Sequence, residues 1–316
     1  MIHTSFSQLG KFVNLLKKNS EDTVKPNVDL LNLKSSEIEN NVKTLKALGY
    51  DITDNLTLVS IPDDLLPWEV QNNLNTRLMG NRIYYMDEVK STQDIAIEMA
   101  TNPLENGTVI IAKTQTHSRG RQDKQWISPP GGIWMSIIIK PNFEPINSTL
   151  VPACISLAIA NAIQSIIGIS VNLKWPNDIM IGDKKVAGIL IDSVMAQEII
   201  SYMVIGIGIN LNVNAKEISK NMSESVDVAS LNYSGSRIEF IQSILRNIEF
   251  TFNMIGKDHD KIINDWTGLS STIGKMVTVT TLQSTITGKA LRLDPDGALV
   301  ISNDSIHRVL SGSLTF

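Results

Sequence analysis

Residues 174–193 read Lys-Trp-Pro-Asn-Asp-Ile-Met-Ile-Gly-Asp-Lys-Lys-Val-Ala-Gly-Ile-Leu-Ile-Asp-Ser. Apolar runs at 171–175 and 186–192 flank a link in which Gly182-Asp183-Lys184 is typical of a tight turn. A third β-rich run follows at 203–209. Links this short suit antiparallel strands, whereas parallel strands need a longer crossover. The stretch therefore predicts an antiparallel meander.

The segments around the meander extend it into an α/β (α+β) fold with a mixed sheet. Strands are predicted at Thr108–Ala112 and Trp134–Ile139, and helices at Leu150–Ile167 and Arg237–Phe252. The first of these helices is apolar enough to imitate a membrane span, but it contains Pro152, Asn161 and Gln164. We therefore expect a buried core helix, since a true span consists mostly of large apolar residues.

Residues 1–62 predict a winged helix-turn-helix. Apolar residues at helical spacing mark a first helix at Leu9–Leu16 and a later one at Ile38–Leu48, with a short segment, Val28–Leu33, between them. Ser36-Glu37-Ile38-Glu39 matches a capping box, and Gly49 stands where a helix usually ends. Asp51–Pro62 looks like a hairpin wing around Asp54-Asn55. This unit contains no Arg and has zero net charge, so the charge pattern of a DNA-binding surface is weak.

The end of the chain predicts a separate small barrel. Beyond Gly274, short β-rich runs occur at 276–280, 286–293, 298–302 and 306–310, with Asp294-Pro295-Asp296-Gly297 as a turn. We therefore divide the chain into a helical unit at 1–62, a larger domain at 63–270 and a barrel at 271–316.

Composition excludes several classes of protein. The chain has 316 residues, a net charge of −4 and one cysteine, so neither a disulfide framework nor a cysteine zinc cluster is expected. The start of the chain has no pattern typical of a signal peptide, and we expect a cytoplasmic protein that does not bind membranes. With four scattered His and no HExxH pair, metal-hydrolase and Cys/His nucleophile chemistry are poor fits.

Cations are concentrated in two polar, glycine-containing segments. Ser118-Arg119-Gly120-Arg121-Gln122-Asp123-Lys124-Gln125-Trp126 holds two of the chain's eight Arg, and Lys174 and Lys185 lie near one hairpin end with Asp178. A segment as polar as 118–125 is expected to be a mobile loop until an anion or a base plane orders it, although a solvated surface turn explains the same residues. Ser91-Thr92-Gln93-Asp94 fits an ordinary helix N-cap as well as a ligand contact.

Taken in order, these motifs resemble the biotin protein ligase family. The resemblance rests on Ser91-Thr92, Gln115, Arg119-Gly120-Arg121, Trp126, Lys174–Asp178, Lys185–Leu190 and Gly206–Asn210, and it extends over essentially the whole chain. It is closest to the bifunctional members, which carry an N-terminal winged helix and act as biotin operon repressors. The fold implied is a winged helix, a catalytic domain similar to class II aminoacyl-tRNA synthetases, and an SH3-like barrel.

The resemblance implies a two-step reaction. Biotin and ATP, with Mg²⁺, give biotinyl-5′-adenylate and pyrophosphate, and a lysine of a biotin carboxyl carrier protein or domain then accepts the biotinyl group. A homodimer and DNA are further implied partners. Joining a carboxylate to a phosphate mainly requires cations that offset the repulsion between anions, and a cluster of Lys and Arg without His meets that requirement.

The family motifs also imply roles for individual residues. The biotin-binding set is Ser91, Thr92, Gln93, Gln115, Gly188 and Lys185. The adenylate-binding set is Arg119, Gly120, Arg121, Lys124, Trp126, Asn177 and Asn210. Lys185, Arg121 and Arg119 are the implied catalytic residues. Asp178 is either a Mg²⁺ ligand or a structural partner of Lys174, and both alternatives stay open.

Several positions depart from the family pattern. Ser118 and Asp123 stand where glycines are usual, Lys124 replaces an arginine, Gln93 replaces an asparagine, and Ser313 replaces an acid. These changes predict a loop that is slightly stiffer and less basic than usual. Two alternative functions remain: a lipoate-type protein ligase, which would share the adenylate chemistry, and a non-catalytic, biotin-sensing DNA-binding regulator.

Overall fold

The computed structural model describes residues 2–4, 7–21, 33–221 and 227–316. Its central element is an eight-stranded mixed sheet, whose strands lie in the order 2–4, 83–89, 109–115, 133–139, 199–209, 184–196, 178–181 and 172–174. A five-stranded sheet and a two-stranded hairpin complete the β structure of the described residues.

The N-terminal region contributes helices, a hairpin and one strand of the central sheet. Its elements are β1 (Ile2–Thr4), α1 (Gln8–Glu21), α2 (Ser35–Ala47), β2 (Asp51–Ile52) and β3 (Leu58–Ser60). The two predicted helices, the end of α2 at Gly49 with its φ of +93°, and the β2–β3 hairpin are confirmed. The middle segment, residues 28–32, lies outside the described residues.

The predicted cap of α2 is wrong by two positions. The helix begins at Ser35 with Lys34 as the N-cap, and the Glu37 carboxylate accepts a hydrogen bond from the Lys34 N–H at 2.7 Å. Glu37 is the third residue of the helix, so its carboxylate can satisfy the backbone without a Ser side chain at the cap. The Ser36–Glu39 pair is therefore not the capping box.

The larger region has the bounds α3 (Pro67–Gln71), β4 (Ile83–Val89), α4 (Thr92–Met99), β5 (Val109–Gln115), β6 (Ile133–Ile139), α5 (Val151–Ala162), β7 (Asn172–Lys174), β8 (Asp178–Ile181), β9 (Lys184–Ala196), β10 (Ile199–Ile209), α6 (Ala215–Asn221), α7 (Arg237–Phe252) and α8 (His259–Gly268). Strands β7 to β10 form the predicted antiparallel meander, with β8 as an additional strand inside the predicted link. The β4–β5 pair is parallel, which makes the sheet mixed as predicted.

The two faces of the central sheet are covered differently. One face packs against α5 and α7 in the main core, where Ile133, Ile137 and Ile205 are fully buried. The opposite face carries α4, which contacts β5, β6 and β10. Pro145–Ile167 is long and apolar enough to cross a membrane, but ten of the twelve α5 residues are buried in the protein, as expected for a core helix.

The C-terminal region is a β-rich unit. Its strands are β11 (Met276–Thr280), β12 (Thr285–Leu293), β13 (Leu299–Ser302), β14 (Ile306–Val309) and β15 (Ser313–Thr315). All neighbouring strands in this sheet are antiparallel. The first four strands match the predicted runs to within one residue, and β15 is an addition.

A buried polar network joins the N-terminal helices to the larger region through α3. The Glu69 carboxylate is almost fully buried, forms an ion pair with Lys17 of α1 and accepts a 2.6 Å hydrogen bond from the Tyr50 hydroxyl. The Trp68 indole N–H donates to the same hydroxyl at 2.6 Å. Burial and the neighbouring Glu69 carboxylate raise the pKa of Tyr50 well above its ordinary value, so its hydroxyl stays protonated.

This network predicts that Tyr50→Phe lowers the stability of the protein. Removing the hydroxyl takes one donor from Glu69 and the acceptor from Trp68, which costs about 1–3 kcal/mol because both groups are buried. The midpoint of urea unfolding measures the effect. Tyr84→Phe is the control, because the half-buried Tyr84 hydroxyl makes no hydrogen bond with the described part of the chain. Equal midpoints for the two variants would contradict the role of the network.

Candidate active site

A cavity of about 450 Å³ opens on the sheet face that carries α4. It contains twelve of the fourteen residues predicted from the sequence: Ser91, Gln93, Gln115, Arg119, Gly120, Arg121, Lys124, Trp126, Asn177, Asp178, Lys185 and Gly188. The other two, Thr92 and Asn210, are buried and do not line it. The structure thus brings the separate sequence motifs to one place.

The floor of the cavity depends on glycines in neighbouring strands. Gly188 of β9 and Gly208 of β10 are directly opposite in the antiparallel ladder. A Cβ atom would lie 2.8 Å from the Trp126 ring if built at Gly188, and 2.5 Å from the Trp126 Nε1 if built at Gly208. Only glycine leaves the indole enough room at these two positions, so the cross-strand pair forms a slot for Trp126.

A hydrogen-bonded polar network lies beside this floor, at the start of α4. The Gln115 Oε1 accepts hydrogen bonds from the Thr92 N–H at 2.8 Å and the Thr92 hydroxyl at 3.1 Å. Gln93 donates through Nε2 to the Val204 carbonyl at 3.1 Å and to the Asp192 carboxylate at 3.0 Å. Because these partners fix the amide groups, the network is preorganised for a polar ligand.

Ser136 of β6 connects the two halves of the network, and sequence reasoning missed it. Its hydroxyl donates to the Gln93 Oε1 at 3.0 Å and lies 2.9 Å from the Thr92 hydroxyl, and the residue is fully buried. A signal was present in the sequence: Ser136 is the one polar residue in the otherwise apolar strand Ile133–Ile139. A polar residue in such a strand needs a buried partner, and here it has two.

Ser91 has the structural role that the sequence allowed. It is the N-cap of α4, and its hydroxyl accepts a hydrogen bond from the Asp94 N–H at 3.4 Å. The residue is buried and also lines the cavity. The position of Ser91 is therefore compatible with both predicted roles of the Ser91–Asp94 segment, the helix N-cap and the ligand contact.

Positive charge is concentrated on the other side of the cavity. The Lys185 Nζ is 2.5 Å from an Asp178 carboxylate oxygen and 5.1 Å from the centre of the Trp126 ring. The Arg121 guanidinium donates to the Asn177 Oδ1 at 2.9 Å. Burial lowers the pKa of Arg121, and Asp178 partly opposes this shift. The structure therefore pairs Asp178 with Lys185. Of the two alternatives left open for Asp178, an ion pair with Lys174 is not formed.

The 118–125 loop has more internal structure than its composition indicated. Arg119 and Gln125 form a β-bridge, and the Gly120 N–H donates to the Lys124 carbonyl at 2.6 Å. Ser118 is buried, and its hydroxyl lies 2.9 Å from that of Ser128. Arg119 is held by Asp94 at 2.7 Å and lies 3.8 Å from Asp192. Backbone hydrogen bonds and the Ser118–Ser128 contact thus give this loop a defined shape, although it has no aliphatic anchor. That the loop moves when no ligand is bound stays a prediction.

Two buried polar groups near the cavity have no protein partner. Both side-chain amide atoms of Asn210 and the Trp126 Nε1 make no hydrogen bond with the described residues. Leaving such groups unpaired is costly, so they mark places where a ligand or water completes the site. Among the described residues, no cluster of three or more His, Cys, Asp or Glu could hold a metal ion.

Comparison with known proteins agrees with this geometry. Residues 85–210 match the model of the biotin/lipoate A/B protein ligase family, and residues 272–314 match the biotin protein ligase C-terminal domain. Together the two matches account for more than half of the chain. The chain belongs to the biotin protein ligase family.

Individual relatives extend the match beyond these two regions. The bifunctional ligase/repressor BirA of Bacillus spizizenii is 29% identical over 90% of this chain and 91% of its own length. The protein of the same name from Escherichia coli K12 is 23% identical over 90% and 89%. The structure of the Aquifex aeolicus biotin protein ligase with biotin and ATP aligns with a TM-score of 0.61, at 27% identity, over 74% of this chain and 98% of the other.

The glycine floor predicts that Gly208→Ala displaces the Trp126 indole. The added methyl group would lie only 2.5 Å from the Trp126 Nε1, so the ring leaves the slot, meets water and shifts the tryptophan emission to longer wavelength. The same substitution in a Trp126→Phe background is expected to leave the emission unchanged. Gly268→Ala is the matched control, because nothing lies within 4 Å of a Cβ atom there. Superimposable spectra for Gly208→Ala and the unmodified protein would contradict this account of the floor.

Proposed function

We propose that this chain is a biotin protein ligase: it activates biotin with ATP and transfers the biotinyl group to a lysine of a biotin carboxyl carrier domain. The observation that carries the proposal is the cavity, in which a fixed polar network and a cluster of cations face each other across a glycine floor. The names of the relatives, ligase/repressor and biotin protein ligase, support the same activity.

The polar network is assigned to the biotin end of the cavity. Biotin carries a neutral ureido ring, which needs hydrogen-bond donors and acceptors in fixed positions. Gln93 and Gln115 line the cavity and offer both kinds of group, and hydrogen bonds with the buried Thr92 and with Ser136 fix their orientation. Gly188 belongs to the floor beside this network, where the Trp126 ring and the Lys185 side chain lie directly above it.

The cations are assigned to the reacting carboxylate and phosphates. Attack of one anion on another is slow because of their repulsion and because negative charge grows on the phosphate oxygens. Arg121 and Lys185 face the cavity and can neutralise that charge without being moved, since Asn177 and Asp178 hold them. Arg119, in the loop, is available once a phosphate replaces its carboxylate partners, and Gly120 and Lys124 accompany it.

The nucleotide base is assigned to the region of Trp126 and Asn210. The unpaired amide of Asn210 can donate and accept, which suits the edge of an adenine ring. The Trp126 indole is half-buried, packs edge-on against Trp134 with ring centres 6.5 Å apart, and offers a face for stacking. Both residues lie where β10 ends, next to the glycine floor.

A magnesium ion fits this site only together with the phosphates. Mg²⁺ is usually bound through one or two carboxylates plus substrate phosphate oxygens and water. Asp178 supplies one carboxylate at the cavity wall, although it is paired with Lys185. When bound, the ion would add positive charge at the phosphates. Binding of the biotin ring, the carboxylate and the base is left to the side chains described above.

The two half-reactions follow from these assignments. A carboxylate oxygen of biotin bonds to the α-phosphorus of ATP, the bond to the bridging oxygen breaks, and pyrophosphate leaves. The acceptor lysine amine then attacks the acyl carbon of the adenylate, forms the amide and expels AMP, and its proton passes to water. The loop at 118–125 can cover the adenylate between the steps and so exclude water.

The remaining parts of the chain are assigned by the same resemblance. We assign residues 1–62 to a winged helix-turn-helix unit of a biotin-responsive repressor, residues 63–270 to the catalytic domain, and residues 271–316 to an SH3-like barrel. DNA binding depends on a homodimer, because residues 1–62 contain no Arg and have zero net charge, and Lys17 is already used in the ion pair with Glu69. The protein acts in the cytoplasm and does not need a membrane.

Lys185→Ala is expected to abolish most adenylate formation. Removing a charge that faces the phosphate in the transition state lowers the rate of biotin-dependent ATP–pyrophosphate exchange by about 100-fold or more. Lys184→Ala is the matched control, because this neighbour is exposed on the same strand and should retain the rate within about two-fold. Near-normal exchange with Lys185→Ala would overturn its role.

Transfer to a carrier domain tests the complete proposal. The protein is incubated with biotin, MgATP and an isolated biotin carboxyl carrier domain, and the carrier is weighed by mass spectrometry. We expect a gain of one biotinyl group, which is lost when the acceptor lysine of the carrier is replaced by arginine. A carrier that stays unmodified under these conditions would show that the chain is not a biotin protein ligase.

A further inference from the structure

We propose that Phe316 is a positioning residue for the reaction: its ring holds Lys174 at the cavity wall so that the Lys174 ammonium can bind the phosphates of ATP. This inference rests on the proposed function and assigns a part of the site to the C-terminal unit. Lys174 belongs to the motif that decides the fold, yet the assignments above leave it without a role.

Lys174 lies where two cavities meet. It lines the active-site cavity together with Lys185 and Asp178, and it also lines a second cavity with Lys275, Asp183 and Phe316. The second cavity lies between the meander and the C-terminal unit. A cation at this place can reach an anion that extends from the active-site cavity toward the second one.

The backbone on both sides of Lys174 is held by the segment that leads into the C-terminal unit. The Leu173 N–H donates to the Leu269 carbonyl at 2.8 Å, and the Ser271 N–H donates to the Leu173 carbonyl at 2.9 Å. On the other side, the Trp175 N–H donates to the Thr272 hydroxyl at 3.0 Å. The main chain of Lys174 is thus fixed, and only its four-carbon side chain needs a further constraint.

The Phe316 ring supplies that constraint. The Lys174 Nζ lies 4.8 Å from the ring centre, and the Lys275 Nζ lies 4.5 Å from it. Both distances are within the range of a cation–π attraction. Phe316 follows β15, which pairs with β11, and Lys275 precedes β11, so the same sheet edge presents the ring and the second lysine.

The charges around Lys174 favour an anionic ligand. Burial lowers the pKa of Lys174; Asp178 opposes the shift, and the positive charges of Lys185 and Lys275 add to it. An anion bound among Lys174, Lys185 and Lys275 would offset the repulsion between their positive charges. The pyrophosphate part of ATP has this charge, and it must extend away from the α-phosphate near Lys185 when the carboxylate attacks from the biotin side.

Three variants of the full chain separate the contribution of the ring from that of apolar packing. Phe316→Leu keeps an apolar side chain but removes the aromatic face, whereas Phe316→Tyr keeps the face. Leu282→Ala is the matched control, because Leu282 is a fully exposed apolar residue of the same unit. Phe316 is itself half-exposed, so all three proteins are expected to fold, and thermal unfolding checks this.

The first measurement is the reactivity of Lys174 toward an amine-labelling reagent, followed by mass spectrometry of the peptides. Phe316→Leu should raise the labelling rate of Lys174 about two-fold or more, with Lys289 as an internal reference, while Phe316→Tyr and Leu282→Ala leave it unchanged. This readout does not require enzyme activity. Equal labelling of Lys174 in Phe316→Leu and the unmodified protein would overturn the contact itself.

The second measurement is biotin-dependent ATP–pyrophosphate exchange as a function of ATP concentration. Phe316→Leu should raise the KM for ATP about two- to five-fold, leave the KM for biotin unchanged, and be rescued by Phe316→Tyr. Increased labelling with an unchanged KM for ATP would overturn the positioning role. If the unmodified protein shows no exchange, the proposed function fails, and the labelling result still decides whether Phe316 holds Lys174.

Discussion

The candidate site depends on the absence of side chains at one place in the central sheet. Gly188 and Gly208 face each other across β9 and β10, and Gly206 lies two residues away on the same face. The pair makes room for the Trp126 ring, and a Cβ atom at Gly206 would lie 2.6 Å from the Gln93 Oε1. Because side chains alternate between faces of a strand, the same strands can bury Ile207 and Ile209 in the core beneath. The pairing of β9 with β10 therefore places Ile207 and Ile209 in the core and the glycines in the floor of the cavity.

The cations around this floor are held at some electrostatic cost. Burial disfavours the charged forms of Arg121 and Lys174, and Lys174 also lies near two other lysines. Asp178 and Asn177 compensate in part, Asp178 through its ion pair with Lys185 and Asn177 by accepting a hydrogen bond from Arg121. An anionic ligand with several phosphate oxygens would remove this imbalance, so the unliganded site is already arranged for charge that develops during the reaction. The absence of His from the cavity lining is consistent with this mode of catalysis.

Sequence reasoning located the site better than it located the parts of the fold that support it. The Lys174–Asp178 and Lys185–Leu190 motifs combine unusual polar residues with strand patterns, and both line the cavity. By contrast, β8 is a four-residue strand inside an apparent link, and β1 has only three residues, so neither produces a periodic pattern. Helix α8 was also missed, because only Ile262 and Trp266 of its ten residues are buried. The pairing of Asp178 with Lys185 required the hairpin register, which spacing alone does not provide.

A comparison of biotin with lipoate tests the proposed roles of the site most directly. The carboxylate of either ligand could use the cations, but only biotin has a ring that the polar network can recognise. Radioactive pyrophosphate is exchanged into ATP by the purified chain in the presence of biotin, of lipoate or of neither. The hydrogen-bonded groups of Thr92, Gln93 and Gln115 are proposed to recognise the ureido ring of biotin, and the disulfide ring of lipoate has no amide groups to pair with them. Rapid exchange is expected with biotin and only background exchange with lipoate. Exchange that depends on lipoate and not on biotin would contradict the assignment of the polar network to biotin.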